Sequence, residues 1–134
     1  MEEADHADFL RFDDFDQFIN YLGDPAHQGP IISPSRFCRA LEFDQLMLAG
    51  LARVHRNTVG RAPESAGIQR FLRDSVRIIR AATDVSGDVG RALFWYRNEP
   101  LSAFGYQTAD QLVSQGRTDD LLRYVASIEA GAAG

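Results

Sequence analysis

The amino-acid sequence predicts an all-α protein built as a bundle of several helices. Apolar residues recur at helical spacing along most of its 134 residues, and no segment shows the period-two alternation of a half-buried strand. The apolar content of 45% is ordinary for a chain that folds around one core. We expect one compact core with an arm at the N-terminal end.

We expect residues 1–30 to form an acidic arm and a linker. The arm carries apolar side chains at helical spacing, namely Phe9, Phe12, Phe15, Phe18, Ile19 and Leu22. This spacing predicts an amphipathic helix that ends near Gly23, and its apolar face needs a surface to cover. Residues 23–30 (GDPAHQGP) are rich in turn-forming residues and predict the linker.

The next region is predicted to contain four helices, over residues 34–41, 43–51, 55–61 and 65–82. Ser33 and Pro34 fit an N-cap followed by proline at the first helical position, which explains where the first of these helices begins. The second and third helices are joined by a tight connection around Arg53 and Val54.

The helix over residues 65–82 has the clearest pattern in the chain. Its apolar positions follow helical spacing: Ile68, Phe71, Leu72, Val76 and Ile79. A second face carries a stripe of arginines, namely Arg70, Arg73, Arg77 and Arg80. Either this stripe serves a partner, or it is an ordinary solvated helix face.

Residues 84–134 predict three further helices. The first begins between two glycines, contains a run of three aromatic residues and stops at Pro100. We expect these aromatic side chains in the core, because consecutive residues of a helix cannot all face outward: Phe94, Trp95 and Tyr96.

The second and third of these helices carry start signals. Thr108 and Gln111 have capping-box spacing and predict a short helix over residues 108–114, closed by a glycine. Thr118 is the expected cap of the last helix, and two aspartates occupy its first turn, where the helix dipole favours carboxylates. The expected buried face of this helix comprises Leu121, Leu122, Val125 and Ile128.

The net charge of −5 hides a strong asymmetry. Residues 1–24 carry eight acidic residues and one arginine, a net charge of −7, whereas residues 36–97 carry eleven arginines and six acidic residues, a net charge of +5. Every basic residue is arginine. Because arginine makes planar, bidentate contacts with phosphate and carboxylate, the centre of the chain suits nucleic acid or an acidic protein face.

Several classes of protein are not expected. The longest uninterrupted apolar stretch, Leu46 to Ala52, is far shorter than the roughly 20 residues of a membrane-spanning helix. The start MEEADHADF lacks the features of a secretory signal, and one cysteine cannot form an internal disulfide, so we expect a cytoplasmic protein. Cys38 is expected to be a buried, inert thiol. No spacing typical of a metal, cofactor or catalytic site occurs, which favours a binding protein over an enzyme.

Residues 48–59 (LAGLARVHRNTV) resemble the helix-turn-helix core of bacterial repressors. In that motif a small residue such as Ala49 lets two helices cross closely, and the position of Val54 anchors the turn. The second helix, from about His55, would enter the major groove. Arginine suits guanine and asparagine suits adenine in such a contact. The residues expected to face DNA are Arg56, Asn57, Thr58 and Arg61.

One position departs from the helix-turn-helix pattern. The turn usually contains glycine where this chain has Arg53, so Arg53 must adopt a less favourable backbone conformation or form a different turn. The alternative to DNA binding is a helical hairpin that serves only for packing.

Residues 94–131 (FWYRNEPLSAFGYQTADQLVSQGRTDDLLRYVASIEAG) resemble the toxin-binding domain of the Xre/MbcA/ParS antitoxin family. The family pattern is a tryptophan that closes a helix, a loop with asparagine, proline and leucine, a glycine, a threonine-capped helix, a second glycine, and a last helix that ends in glycine. Ala109 stands where members commonly carry proline, a change compatible with a first helical turn. The matching positions here are Trp95, Asn98, Pro100, Leu101, Gly105, Thr108, Gly116 and Ile128 to Gly131.

With the helix-turn-helix-like segment, the resemblance covers residues 33–134. It implies an Xre-type helix-turn-helix region over residues 31–83 and a toxin-binding domain over residues 84–134. Members of this family neutralise RES-domain toxins, which degrade NAD or transfer its ADP-ribose to a protein. The acidic arm over residues 1–24 has no counterpart in the pattern.

The resemblance also implies how neutralisation works: the C-terminal segment enters the NAD pocket of the toxin. Small residues suit a narrow cleft, and Glu129 would pair with an arginine that otherwise holds substrate phosphate. The alternative for this tail is simple fraying. The segment consists of Ser127, Ile128, Glu129, Ala130, Gly131, Ala132, Ala133 and Gly134.

The partners implied by the resemblance are a RES-domain toxin in a hetero-oligomer, a second antitoxin subunit in a dimer, and operator DNA. No cofactor is implied. The alternative function is a stand-alone helix-turn-helix transcription repressor whose C-terminal helices mediate dimerisation. An enzyme is the third class, for which the sequence predicts no catalytic residue.

Overall fold

The structure is a computed structural model that describes residues 10–23 and 29–133, with the side chains of residues 129–133 left out. Within these ranges all regular secondary structure is helical, apart from two isolated antiparallel bridges, Gly23 with Ile32 and Leu101 with Gln107. The all-α prediction is therefore confirmed. Among the described helices, none combines the length and apolar character needed to cross a bilayer.

The helices follow one another with short connections along the described chain. Their bounds are α1 Phe15–Leu22, α2 Pro34–Leu41, α3 Gln45–Ala52, α4 Thr58–Arg61, α5 Ala66–Ser86, α6 Val89–Asn98, a 3-10 turn Ser102–Phe104, α7 Ala109–Ser114 and α8 Thr118–Ala133.

Helix α5 is the central element. It contacts α2, α3, α6, α7 and α8, which surround it. Burying one large apolar side chain stabilises a fold by about 1.5–3 kcal/mol. Because this helix buries several of them, it supplies a large part of the core. The helix ends at Gly87, whose left-handed conformation (φ 75°) suits glycine. Its buried residues are Ile68, Gln69, Phe71, Leu72, Ser75, Ile78, Ile79 and Ala82.

Two buried polar side chains connect α5 to its neighbours. The amide of Gln69 accepts the N–H of Ile32 at 3.0 Å and donates to the carbonyl oxygens of Ile32 at 2.8 Å and Pro63 at 2.9 Å. The hydroxyls of Ser75 and Tyr96, both fully buried, form a hydrogen bond between α5 and α6. These contacts satisfy polar groups that would otherwise be costly to bury.

Side-chain caps explain where several helices begin. The Ser33 hydroxyl accepts the N–H of Arg36 at 3.2 Å, with Pro34 at the first helical position, as predicted. The Asp44 carboxylate accepts the N–H of Met47 at 2.7 Å and so starts α3. Because of this cap, α3 begins two residues later than predicted.

Arg53 ends α3 in the left-handed conformation (φ 60°, ψ 44°), the unfavourable backbone expected of a non-glycine residue in this turn. Its side chain compensates with a long-range contact: Nε donates to the carbonyl oxygen of Ser114 at 2.9 Å. The Ser114 hydroxyl in turn donates to the carbonyl oxygen of Leu51 at 2.6 Å. The turn after α3 is thus fastened to the end of α7.

The N-terminal helix is shorter than predicted. It begins at Phe15, because the Asp14 carboxylate accepts the N–H of Gln17 at 2.9 Å and caps it there. Phe12 lies before the helix, yet its ring packs against Phe18 with centroids 5.4 Å apart. Residues 1–9 of the acidic arm, which include Phe9, and residues 24–28, which make up most of the linker, lie outside the described residues.

The second helix of the helix-turn-helix-like segment is also shorter than predicted. Residues 55–57 form a turn in which the His55 Nδ1 accepts the N–H of Asn57 at 3.1 Å, and α4 follows as a single turn of four residues. Ala62 leaves the helical conformation (φ −138°, ψ 64°) because Pro63 disfavours helical backbone in the residue before it. The predicted start at residue 55 was wrong.

Three side-chain predictions in the C-terminal third were wrong. Phe94 is 69% exposed, because the buried face of α6 comprises Val89, Ala92 and Tyr96 and leaves Phe94 on the opposite side. Ile128 is 40% exposed rather than buried. Thr118 is the first helical residue of α8 and not its cap, and its hydroxyl donates to Asp74 at 3.4 Å.

Replacing Arg53 with glycine or alanine tests the turn after α3. Both changes remove the contact with Ser114, so the difference between them isolates the backbone conformation. We expect the glycine variant to be about 1 kcal/mol more stable than the alanine variant, because alanine is strained at φ 60°. Urea unfolding followed by circular dichroism measures both. Equal stabilities would contradict the left-handed turn.

Candidate functional site

An apolar groove of about 260 Å³ lies between the ends of α5 and α8 and the face of α6. We call it the C-terminal groove. Its walls are almost entirely apolar, and Arg91 is the one charged residue among the described residues that line it. The lining residues are Ala82, Val85, Ser86, Arg91, Ala92, Trp95, Val125 and Ile128.

The C-terminal groove adjoins the predicted toxin-binding segment. Val125 is buried, whereas the described side chains that follow it in α8, those of Ala126, Ser127 and Ile128, are all exposed. Ile128 belongs both to the groove and to the predicted segment. The backbone of α8 continues to Ala133, while Gly134 and the side chains of residues 129–133 lie outside the described part of the chain.

A cation–π contact, an edge-on aromatic pair and ion pairs surround the start of α8. Arg117 lies over the ring of Phe104 at 5.1 Å, and Phe104 packs edge-on against Tyr124 with centroids 5.4 Å apart. Arg117 and Arg123 both contact the carboxylate of Asp120, and these contacts lower the pKa of that exposed group. The contacts with Phe104 connect the start of α8 to the preceding 3-10 turn, whereas the ion pairs with Asp120 are local to the start of the helix.

The loop before α7 has two successive residues in the left-handed region, Gly105 (φ 65°) and Tyr106 (φ 67°). The N–H of Leu101 donates to the carbonyl oxygen of Gln107 at 2.9 Å and closes the loop. The N–H of Thr108 donates to the side chain of Gln111 at 3.0 Å, which confirms the predicted capping box at this helix start.

Asp110 is a buried carboxyl that the sequence did not reveal. Its side chain is 6% exposed, and this burial raises its pKa even though it accepts hydrogen bonds from the Thr108 hydroxyl and, at 2.8 Å, from the N–H of Gln111. No role was predicted for it from the sequence.

Cys38 is buried, as predicted, with 5% of its surface exposed. Burial, with a smaller contribution from Asp44, raises the pKa of its thiol to about 11. At neutral pH the thiol therefore stays protonated, the form in which cysteine is a poor nucleophile.

The predicted DNA-contacting residues lie on the surface. Arg56, Asn57 and Arg61 are exposed and Thr58 is half-buried. Three of the four, Asn57, Thr58 and Arg61, line one shallow depression of about 420 Å³ together with His55. Arg56 does not line it.

The arginine stripe of α5 divides into two groups. Arg77 pairs with Asp74 at 3.3 Å and approaches Asp119 at 3.8 Å, and Arg80 lies over the ring of Phe15 at 5.5 Å. Arg70 and Arg73 are exposed and have no partner among the described residues. Part of the stripe is therefore used inside the fold, and part of it is available.

Comparison of the chain with protein-family models, with curated proteins and with solved structures gives no match. The resemblance to the Xre/MbcA/ParS family rests on the sequence pattern of residues 94–131. Within the described part of the chain, no group of three or more histidine, cysteine, aspartate or glutamate side chains is arranged to hold a metal ion.

The effect of Asp110→Asn on the free energy of unfolding should depend on pH. Because the folded pKa is raised, the stability that the protonated carboxyl contributes is complete below its unfolded pKa of about 3.9 and is lost as pH rises through the folded pKa. Asparagine has no charge to bury and keeps an oxygen that accepts the N–H of Gln111.

We expect the asparagine variant to gain stability relative to the unsubstituted chain between about pH 3 and about pH 7, as measured by urea unfolding at both values. A difference that does not change with pH, or that moves the other way, would contradict the account of Asp110.

Proposed function

We propose that this chain is a bacterial antitoxin that binds and neutralises a RES-domain toxin acting on NAD. The observation that supports the proposal most directly is the C-terminal groove, an apolar surface lined in part by Ile128, which belongs to the predicted toxin-binding segment. In this proposal the chain is not an enzyme, and it acts in the cytoplasm by occluding the active site of its partner.

The composition of the groove suits a protein interface. Trp95 is half-buried and Ile128 is 40% exposed, so both have apolar surface left to cover. Tryptophan and arginine are enriched among the residues that dominate binding energy, and Arg91 stands beside Trp95. Covering this surface would contribute about 25 cal/mol for each Å² of apolar area removed from water.

Occlusion by the C-terminal segment follows from the direction of α8. Leu121 and Val125 anchor the helix in the core, and Tyr124 packs against Phe104 of the preceding 3-10 turn. A toxin that binds the end of this helix in its NAD pocket would also cover the C-terminal groove. The small side chains of the segment suit a narrow pocket.

The proposal includes autoregulation: antitoxin and toxin, as a hetero-oligomer built on an antitoxin dimer, bind their own operator through Arg56, Asn57, Thr58 and Arg61. The exposure of these side chains supports this part. The same observation favours the second candidate function, a stand-alone repressor that needs no toxin. The two differ in whether the C-terminal segment matters for cell survival.

Ile128→Asp should abolish neutralisation. A carboxylate at this position would have to be buried without a partner in the complex, and we expect binding to weaken by at least about tenfold. The chain is co-expressed with the adjacent open reading frame, and growth, cellular NAD and recovery of the complex are measured. A chain that ends at Val125 should fail in the same way.

Ala126→Asp is the matched control, because it adds the same charge to an exposed position two residues earlier, on a different face of α8. It should rescue growth like the unsubstituted chain. Circular dichroism of all variants checks that they fold. If Ile128→Asp and the truncated chain also rescue growth, or if the adjacent frame encodes no toxin, the antitoxin proposal is wrong and the repressor takes its place.

A further inference from the structure

We propose that Arg91 in the C-terminal groove binds a carboxylate of the toxin, which an apolar segment outside the NAD pocket presents. This assignment rests on the proposed function and names the chemistry that the partner must bring to the groove. The two contacts then have different roles. The tail beyond Ile128 blocks the active site, whereas the groove supplies affinity and selects the partner.

Three helices line the C-terminal groove. Arg91 and Trp95 of α6 are four residues apart, and Val125 and Ile128 of α8 are three residues apart. Residues at these spacings lie on the same face of a helix. The end of α5 forms the third wall, around Val85. Arg91 therefore lies on a helix beside an apolar surface, and not on a loop.

The charge of Arg91 is not compensated by an ion pair within the described part of the chain. The residue is exposed, and its side chain has no partner among the described residues. Asp88, three residues earlier, caps α6 and accepts the backbone N–H of Arg91 at 3.1 Å, not its guanidinium. Arg117 and Arg123, by contrast, both pair with Asp120. The guanidinium of Arg91 is thus available to an anion.

Ser86 is the other polar residue that lines the groove, and its hydroxyl is already engaged. It donates to the carbonyl oxygen of Asp88 at 3.1 Å and accepts the N–H of Asp88 at 3.3 Å. The other described residues of the lining are apolar. A ligand of the groove therefore meets apolar walls and one available polar side chain, that of Arg91.

These features select a ligand that is apolar and carries one negative group. The volume of about 260 Å³ lies below the roughly 300–1,000 Å³ of small-molecule sites, so protein side chains fit the groove better than a cofactor. The phosphate backbone of nucleic acid would leave the apolar walls in water. A carboxylate on an apolar protein segment matches both features, because arginine binds it with two parallel hydrogen bonds that strengthen as water is excluded.

The groove and the tail are adjacent but separate contacts. Ile128 lines the groove, and the backbone of α8 continues from there to Ala133. At 1.5 Å per residue these five residues extend the helix by about 8 Å. The end of α8 can therefore enter a pocket of the toxin while the groove contacts the surface around that pocket.

The test measures the affinity of purified variants of the full chain for the product of the adjacent open reading frame, made by cell-free synthesis and immobilised for surface plasmon resonance. We expect Arg91→Ala to raise the Kd by at least about tenfold, because an ion pair at an apolar surface is lost. Arg91→Glu should raise it by at least about a hundredfold, since two carboxylates then meet. Arg91→Lys should lie between the unsubstituted chain and Arg91→Ala, because lysine keeps the charge but not the bidentate geometry.

A reversal of charges identifies the residue of the partner. Each aspartate and glutamate of the partner is replaced in turn by arginine. One of these replacements should restore the binding of Arg91→Glu and weaken the binding of the unsubstituted chain. A merely structural role of Arg91 would not respond to a change in the partner.

Arg73 provides the matched controls, because it is exposed on α5, has no partner among the described residues and does not line the groove. Arg73→Ala and Arg73→Glu make the same changes in net charge and should leave the Kd unchanged. A chain that ends at Ile128 keeps the described lining of the groove and loses the tail. It should still bind the partner but no longer stop it from consuming NAD. Circular dichroism checks that all variants fold.

Several results would overturn the inference. Equal losses in the Arg91 and Arg73 variants would mean that only net charge matters. An unchanged Kd in Arg91→Glu would mean that no carboxylate binds there, and a loss that no replacement in the partner restores would mean that the new charge merely disturbs an apolar contact. A chain ending at Ile128 that no longer binds would mean that the groove supplies no affinity of its own.

Two further outcomes concern other partners. If the chain alone forms a dimer that Arg91→Glu separates into monomers, the groove belongs to a second copy of the chain and the inference is wrong. If the unsubstituted chain does not bind the product of the adjacent frame at all, the proposed function itself fails. Failure of the inference alone leaves a complex that forms and neutralises whatever stands at position 91.

Discussion

The rest of the fold depends on covering the apolar face of α5. This helix has 21 residues, and its buried face runs from Ile68 to Ala82, too much apolar surface for one neighbour to remove from water. Helices from both sides in sequence therefore pack around it. The hydrogen bond between Ser75 and Tyr96 helps to fix how α6 packs on α5, since a displaced α6 would leave the buried hydroxyl of Tyr96 without this partner.

Because α5 is long, the surfaces at its two ends lie far apart. Arg70, near its start, lines a groove beside the turn after α3, and the C-terminal groove lies at its end, around Val85. Fifteen residues of helix lie between them, about 22 Å at 1.5 Å per residue. A partner bound at the C-terminal groove would therefore leave the surface at the start of α5 uncovered.

The sequence predicted what is determined locally. The caps at Ser33 and Thr108 depend on residues three positions away, so their patterns revealed helix starts directly. The exposure of Phe94 was not predicted, because the aromatic run suggested a core position, whereas the buried residues of α6 are Val89, Ala92 and Tyr96. The burial of Asp110 was not predicted either. The burial of Gln69 was not predicted, because its partner Ile32 lies 37 residues away in the chain. The C-terminal groove escaped prediction for the same reason, since three helices form it.

The central claim is that the C-terminal groove meets the toxin, and Trp95, the single tryptophan of the chain, reports on it directly. The measurement is ¹⁹F NMR of the chain labelled with 5-fluorotryptophan, before and after formation of the complex with the product of the adjacent open reading frame. Burial of the indole on binding predicts that its one resonance shifts and loses its response to a soluble paramagnetic quencher. A complex that forms while this resonance keeps its position and its response to the quencher would contradict the account.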